Sequence, residues 1–223
     1  MKARWKYRAA AAALTFGLLS AVNAQAALIN YASGDGANEM NSVSGANVNI
    51  TPHAAWGDVG GGASWISYAN TGAGGIIAPN AASRTRPDAT ALFTETLGFI
   101  DAISLNVLGD DTVTVDLVNL TTMTITNLFT AFAGQVNPCA PGGTGVPVGC
   151  VNADMGIVAL GAIDPGNYEL RFYAFQTNAD VFGVQYSGQY NTVDSVPEPF
   201  GVGLLALGLL GIGGITRRRS TNR

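Results

Sequence analysis

The sequence predicts an all-β domain, an antiparallel β-sandwich or jelly roll, on three observations. Apolar and polar residues alternate with period two in several short segments. Between residues 27 and 196 no run of a dozen or more residues has helical spacing. Clusters of Gly, Asp and Pro separate the alternating segments. In chain order, residues 29–31, 48–51 and 64–68 read as the first strands, with Ser33-Gly34-Asp35-Gly36 and Gly60-Gly61-Gly62 as turns. Residues 90–97 and 102–107 follow as two further strands. Segment 112–117 places Val113, Val115 and Leu117 opposite Thr112, Thr114 and Asp116, after a Gly109-Asp110-Asp111 turn. Met123 and Ile125 then alternate with Thr122, Thr124 and Thr126, and the threonines of both segments are expected to face water. The last strands are 155–160, 167–176 and 181–190, with Asp164-Pro165-Gly166 as a turn between the first two. In 167–176, Tyr168, Leu170, Phe172 and Ala174 share one face. Roughly ten short strands in one domain imply two packed antiparallel sheets.

Both ends carry targeting patterns. Lys2, Arg4, Lys6 and Arg8 precede an apolar stretch from 9 to 22, and Ala24-Gln25-Ala26 satisfies the small-x-small rule for cleavage before Ala27, with a cut after Ala24 as the alternative. Residues 1–26 are therefore expected to be a secretory signal helix, and 27–195 the mature domain. The tail, 196–223, contains Pro197-Glu198-Pro199, then 16 uncharged residues from 200 to 215, then Arg217-Arg218-Arg219. As a helix the uncharged stretch would span about 24 Å, short of a hydrocarbon core of about 30 Å. Six of its residues are glycine, each costing up to about 1 kcal/mol of helix stability. A transient transmembrane helix over about 200–216 is expected, its arginines held in the cytoplasm and its Pro-Glu-Pro at the outer boundary. A permanent tail anchor or a core helix beside a basic end is the alternative.

This order of tripeptide, apolar helix and basic cluster resembles the C-terminal sorting signal of PEP-CTERM proteins of Gram-negative bacteria. The resemblance implies export, processing near Pro197, Glu198 and Pro199 by an exosortase, and delivery to the cell surface or to an exopolysaccharide matrix such as a biofilm. The Trp65-Ile66-Ser67 strand, the Gly109-Asp110-Asp111 turn and the late segment at 165–170 also resemble extracellular β-sandwich domains carried by such proteins, and carbohydrate-binding jelly rolls. Those motifs transfer no binding residue.

The whole-chain charge of −4 conceals a more acidic mature domain. From 27 to 196 there are three arginines, Arg84, Arg86 and Arg171, against fourteen carboxylates, a formal net charge of −11. Such a surface repels phosphates, so nucleic acid is excluded as a partner, and anionic membranes are poor ones. The charge keeps an exported protein soluble and leaves cations and neutral glycans as partners.

Cys139 and Cys150, with ten residues between them in a Pro- and Gly-rich loop, suit a disulfide in an exported chain. A zinc site is the alternative, but without a nearby His or second Cys pair it lacks ligands. Trp56, Trp65 and Tyr68 offer an aromatic platform for a sugar ring, although Trp65 in a strand also reads as core. Asp110 and Asp111 invite a structural calcium if Asp58 or Asp154 joins them. Asp in a turn is also common for backbone reasons. His53 is the single histidine and no Gly-x-Ser-x-Gly elbow accompanies it, so catalysis is not expected. The function expected is that of an exported, non-enzymatic surface or matrix protein. The alternatives are a glycan- or calcium-binding module and a secreted polysaccharide-active hydrolase.

Overall fold

The computed structural model describes residues 26–36, 38–133, 139 and 148–193. The expected signal helix and the whole tail, including Pro197, Glu198, Pro199, Arg217, Arg218 and Arg219, lie outside the described residues. One compact unit spans Ala26–Val193. Its ten strands are β1 (Ala27–Ala32), β2 (Glu39–Asn41), β3 (Val48–Asn49), β4 (Ile66–Ser67), β5 (Ala91–Asp110), β6 (Thr112–Asn119), β7 (Thr124–Phe129), β8 (Gly156–Leu160), β9 (Gly166–Phe175) and β10 (Gly183–Thr192). All pairings are antiparallel. The sheet runs β3-β4-β10-β5-β9-β6-β7, with β1 also on β10, and β2 and β8 on β5. The all-β expectation holds. Three details differ from the expectation: the described strands belong to one hydrogen-bonded sheet where two were expected, β2 is not among the expected strands, and 90–97 and 102–107 are halves of one twenty-residue strand.

That long strand organises the molecule. Its first half pairs with β9 and β2, its second with β10 and β8. Between the halves lie two bulges, one between Thr96 and Gly98 on the β9 side, the other opposite Asn191 and Thr192 of β10. Gly98 has φ +77°, and a Cβ there would meet nothing within 4 Å. Glycine is thus required by the backbone conformation and not by space. Each bulge shifts the inward set by one residue, so the inward side chains run Ala91, Phe93, Glu95 and Leu97, then Ile100, then Ile103, Leu105 and Val107, and Leu108 and Asp110 at the end of the strand are buried as well.

The bulges also bend the strand. Tyr186 pairs with Val107, twelve residues beyond Glu95, and a straight strand of that length would separate them by about 40 Å. Instead the Tyr186 hydroxyl donates to Glu95 Oε2 at 3.0 Å. The Tyr186 ring also stacks on Phe172 of β9, with centroids 4.3 Å apart and planes 11° apart. β5 therefore folds back, and the side chains of its two halves meet in one apolar cluster with Phe172, Leu170, Phe182 and Val184. A smaller cluster, Ile50, Val59, Trp65, Leu108, Cys150 and Val151, fills the end of the domain nearest the disulfide.

The outer face of β6 corrects one expectation. Thr112 and Thr114 do not face water; they are 0% and 4% exposed. The Thr112 hydroxyl donates to Val148 O at 2.9 Å and accepts the Phe132 N–H at 3.1 Å, while Thr114 Oγ1 accepts the Ala131 N–H at 2.9 Å. Asp116, 1% exposed, receives the two-pronged guanidinium of Arg86 at 2.6 and 2.7 Å, and Asn127 Nδ2 at 3.0 Å. Arg86 sits on a 3-10 turn, Arg86–Asp88, and its guanidinium carbon lies 5.8 Å from the Tyr173 ring centroid. Returning segments thus cover a strand face that the alternation alone assigns to solvent. Thr122, Thr124 and Thr126 are exposed, as expected, but so are Met123 and Ile125.

Candidate functional site

The chemically densest corner lies where β5 ends. Asp110, the last residue of β5, and Asp111, between β5 and β6, are 3% and 4% exposed. Beside them the sulfurs of Cys139 and Cys150 lie at bonding distance, 2.00 Å. Cys150 is fully buried, its loop held by Gly57 N–H on Cys150 O at 2.7 Å and Gly149 N–H on Asp154 O at 2.9 Å. Asp110 Oδ1 lies 2.8 Å from Cys139 Sγ. A disulfide sulfur has no proton to donate, so a hydrogen bond across that contact requires the proton on Asp110. The electrostatics agree: burial, then the neighbouring Asp111 charge and the hydrogen bond to Asp111, push the Asp110 carboxyl well above its ordinary range. Asp180 acts in the same direction, and a hydrogen bond with the Trp56 side chain opposes them. Asp111 is engaged otherwise, its Oδ2 accepting the Thr177 N–H at 2.8 Å and the Thr177 hydroxyl.

For calcium this corner is poorly charged, because a carboxyl that favours its proton is a weak ligand for a hard cation. Neither Asp58 nor Asp154 joins it. Asp58 Oδ1 accepts from Gly60 N–H at 2.8 Å and from Gln185 Nε2 at 3.2 Å. Among the described residues, the one set of three ligand-type side chains within reach of a single ion is Asp110, Cys139 and Cys150. The sequence offered no signal for that set, since Asp110 lies 29 residues from Cys139.

The three aromatics expected to form a platform do not share a face. Trp65 is 3% exposed, its indole N–H donating to Gly57 O at 3.0 Å, so it belongs to the core. Trp56 is half-buried and lies on Trp65 with centroids 4.2 Å apart. Tyr68 belongs to the other cluster, 5.9 Å from the Phe182 ring. His53 is exposed in a loop, where its Nδ1 accepts the Ala55 N–H at 3.2 Å.

Two features lay outside the sequence reading. Against β1, β10 and β5 a groove of about 460 Å³ is lined by the polar Asn30, Ser104, Asn106, Ser187 and Gln189, together with Tyr31, Val59, Gly61 and Gly188. Strand register builds it: Asn30 pairs with Gln189, Gln189 with Ser104, and Ser187 with Asn106. Gln189 Nε2 donates to Asn30 Oδ1 at 2.8 Å, and Gln189 N–H to Ser104 Oγ at 3.2 Å. No carboxylate or cation lines it. Its signal was present in the polar members of 102–106 and 187–191, which alternate with the core residues, but pairing decides that they meet.

The second feature is a buried acid pair. Glu39 and Glu95 face each other across β2 and β5, 8% and 2% exposed. Glu39 Oε1 accepts the Gly34 N–H at 2.6 Å, and its Oε2 accepts Asn47 Nδ2 at 3.2 Å. Burial pushes the Glu95 carboxyl up to about 8 against the Tyr186 hydrogen bond, with the charges of Glu39 and Asp35 adding to the rise. Burial also raises Glu39. The period-two frame places Glu95 between Phe93 and Leu97 on the inward face, a signal that was legible.

No protein-family model, no curated protein and no solved structure matches the chain.

Proposed function

We propose that this chain is exported, held transiently at the inner membrane by its C-terminal helix, and processed there by an exosortase. What it delivers is a non-enzymatic, acidic β-sandwich to the cell surface or the extracellular polysaccharide. The observation that carries this reading is the order of Pro197-Glu198-Pro199, an uncharged stretch and Arg217-Arg218-Arg219. The compact unit, Ala26–Val193, lies in sequence between the two targeting segments, and its described residues form an apolar core. The fold-back of β5 supports a sandwich, since it brings the inward side chains of its two halves together. Expression in a host with and without an exosortase, followed by mass measurement of the exported product, tests the proposal. Loss of the residues beyond the tripeptide only when the enzyme is present is the expected outcome. A secreted product retaining residues 200–223 in both hosts would overturn it.

One observation favours a second reading, recognition of neutral glycan. The groove of Asn30, Ser104, Asn106 and Gln189 offers amides and hydroxyls without charge in a domain of net charge −11, which suits hydroxyl-rich, uncharged ligands. Binding to neutral polysaccharide that falls in Asn106→Ala and Gln189→Ala, and persists in Trp65→Phe, would place recognition in the groove. Equal binding by all variants would rule the groove out.

A further inference from the structure

We propose that the uncharged groove continues into a second, smaller compartment, and that the two together hold a neutral oligosaccharide bearing N-acetyl groups, with one acetamido group seated in the smaller compartment. The inference rests on the glycan reading of the groove and adds the class of sugar. A cavity of about 190 Å³ lies beside the groove and shares Ser104 and Gln189 with it. Alone it is below the size of a ligand site, about 300–1,000 Å³, whereas the groove falls within that range. The smaller cavity is therefore a side pocket of the larger.

Strand register puts both on one face. Ser187 with Asn106, Gln189 with Ser104, and Asn191 with Ala102 are cross-strand pairs of β10 and β5 two residues apart, and alternate residues of a strand share a face. On one flank β1 adds Asn30 opposite Gln189 and Leu28 opposite Asn191. On the other, β8 adds Ala159 opposite Ser104. From Ser187 to Asn191 this face runs about 13 Å along β10, longer than one sugar ring. At the Ser187 end the glycine loop bounds it, passing so close that a Cβ on Gly61 would lie 3.1 Å from Ser187 Cβ.

The two compartments differ in chemistry. The larger presents amides and hydroxyls, which suit sugar hydroxyls. In the smaller, Leu28, Ala102 and Ala159 bring apolar groups beside the amides of Gln189 and Asn191. Leu28 is 60% exposed, so the fold leaves its side chain uncovered. Among the described residues, the side-chain amides of Asn106 and Asn191, one in each compartment, have no hydrogen-bond partner. Amides of this kind exchange water for a ligand's polar groups at little cost. An acetamido group matches the smaller compartment twice over. Its methyl covers Leu28, Ala102 and Ala159, and its carbonyl and N–H pair with primary amides, which both donate and accept. A carboxylate sugar is opposed by the domain's charge of −11. A free amino sugar would bring an ammonium to a compartment that no described carboxylate lines.

The test titrates the full chain calorimetrically with chitotetraose and cellotetraose, neutral tetramers of one backbone linkage that differ in carrying an acetamido group or a hydroxyl on each ring. Chitotetraose is expected to bind at least about 10-fold more tightly, the lower end of what one added apolar group is worth in a fitted pocket. Ala102→Leu, which fills the smaller compartment, should erase that preference and leave cellotetraose unchanged. Asn191→Ala, whose side chain holds nothing in the fold, should weaken chitotetraose alone by about 3- to 10-fold. Asn106→Ala should weaken both tetramers alike. Equal binding of the two tetramers, with both falling in Asn106→Ala, would overturn the acetamido inference and leave the glycan reading standing. So would a preference for chitotetraose that survives intact in both Ala102→Leu and Asn191→Ala. Binding of neither tetramer would also overturn the inference, while the glycan reading is decided separately by neutral-polysaccharide binding in Asn106→Ala and Gln189→Ala.

Discussion

Glu95 makes the stability of this domain depend on pH, with a sign and a size. In the unfolded chain its carboxyl titrates near 4.5; in the fold burial raises it to about 8. Below the unfolded value both states carry the proton, and its contribution to stability is fully present. As pH rises from about 4.5 to about 8 the unfolded state ionises while the native state keeps its proton, so stability falls by up to about 1.4 kcal/mol per pH unit. Above the folded value the native carboxylate is also ionised and this loss stops. The whole interval is worth at most about 5 kcal/mol, and relaxation and water penetration reduce that to roughly 2–4 kcal/mol. Glu39 and Asp110, both raised by burial, add losses of the same sign. Glu95→Gln has the same shape, cannot ionise, and still offers an oxygen to the Tyr186 hydroxyl. Urea unfolding of both proteins between about pH 5 and pH 8 isolates the effect, because every other titrating group is shared. The variant should gain on the wild type by roughly 2–4 kcal/mol across that range. Parallel stability curves would show that Glu95 does not hold its proton in the fold, and would refute the reasoning.

Other residues give equally direct tests. Arg86→Ala leaves Asp116 buried with Asn127 as its remaining side-chain donor; because Arg86 is itself 45% exposed, a loss of about 2–3 kcal/mol, at the low end for a broken buried pair, is expected by urea unfolding. A change below about 0.5 kcal/mol would mean that water replaces the guanidinium. Gly98→Ala keeps open space around the new methyl but strains the backbone at φ +77°, costing about 1–3 kcal/mol with no change in the urea slope. Trp65→Ala should cost about 3–5 kcal/mol from the cavity it leaves. Trp56→Ala, at a half-buried position, should cost clearly less, and equal losses would contradict the assignment of Trp65 to the core.

Period-two alternation is a local property of the pleat, and it placed the apolar side chains of β6 and β9 correctly. Tyr168, Leu170, Phe172 and Ala174 of β9 are all buried, as are Val113, Val115 and Leu117 of β6. The pairing of Cys139 with Cys150 was likewise legible, as the one bridge two cysteines allow within a chain. Three things were not legible, for one reason. Residues 98–101 looked like a break between two strands because Gly and Asp interrupt the pattern, but bulges carry the pairing through them and turn the strand back on itself. Thr112 and Thr114 read as solvent-facing because nothing nearby in sequence covers them; residues 131, 132 and 148 do so after a long excursion. The sulfurs appeared to lack a further ligand because Asp110 approaches them from another strand. The amino-acid sequence by itself determined the all-β class, the inward faces of β6 and β9, the acidity of the domain and the patterns at its ends, because each follows from neighbouring residues or from composition. Tertiary structure alone decided which outer faces are covered, that Asn30, Gln189, Ser104 and Asn106 line one groove, and that a buried carboxyl sits against the disulfide, because each depends on chain segments that only packing brings together.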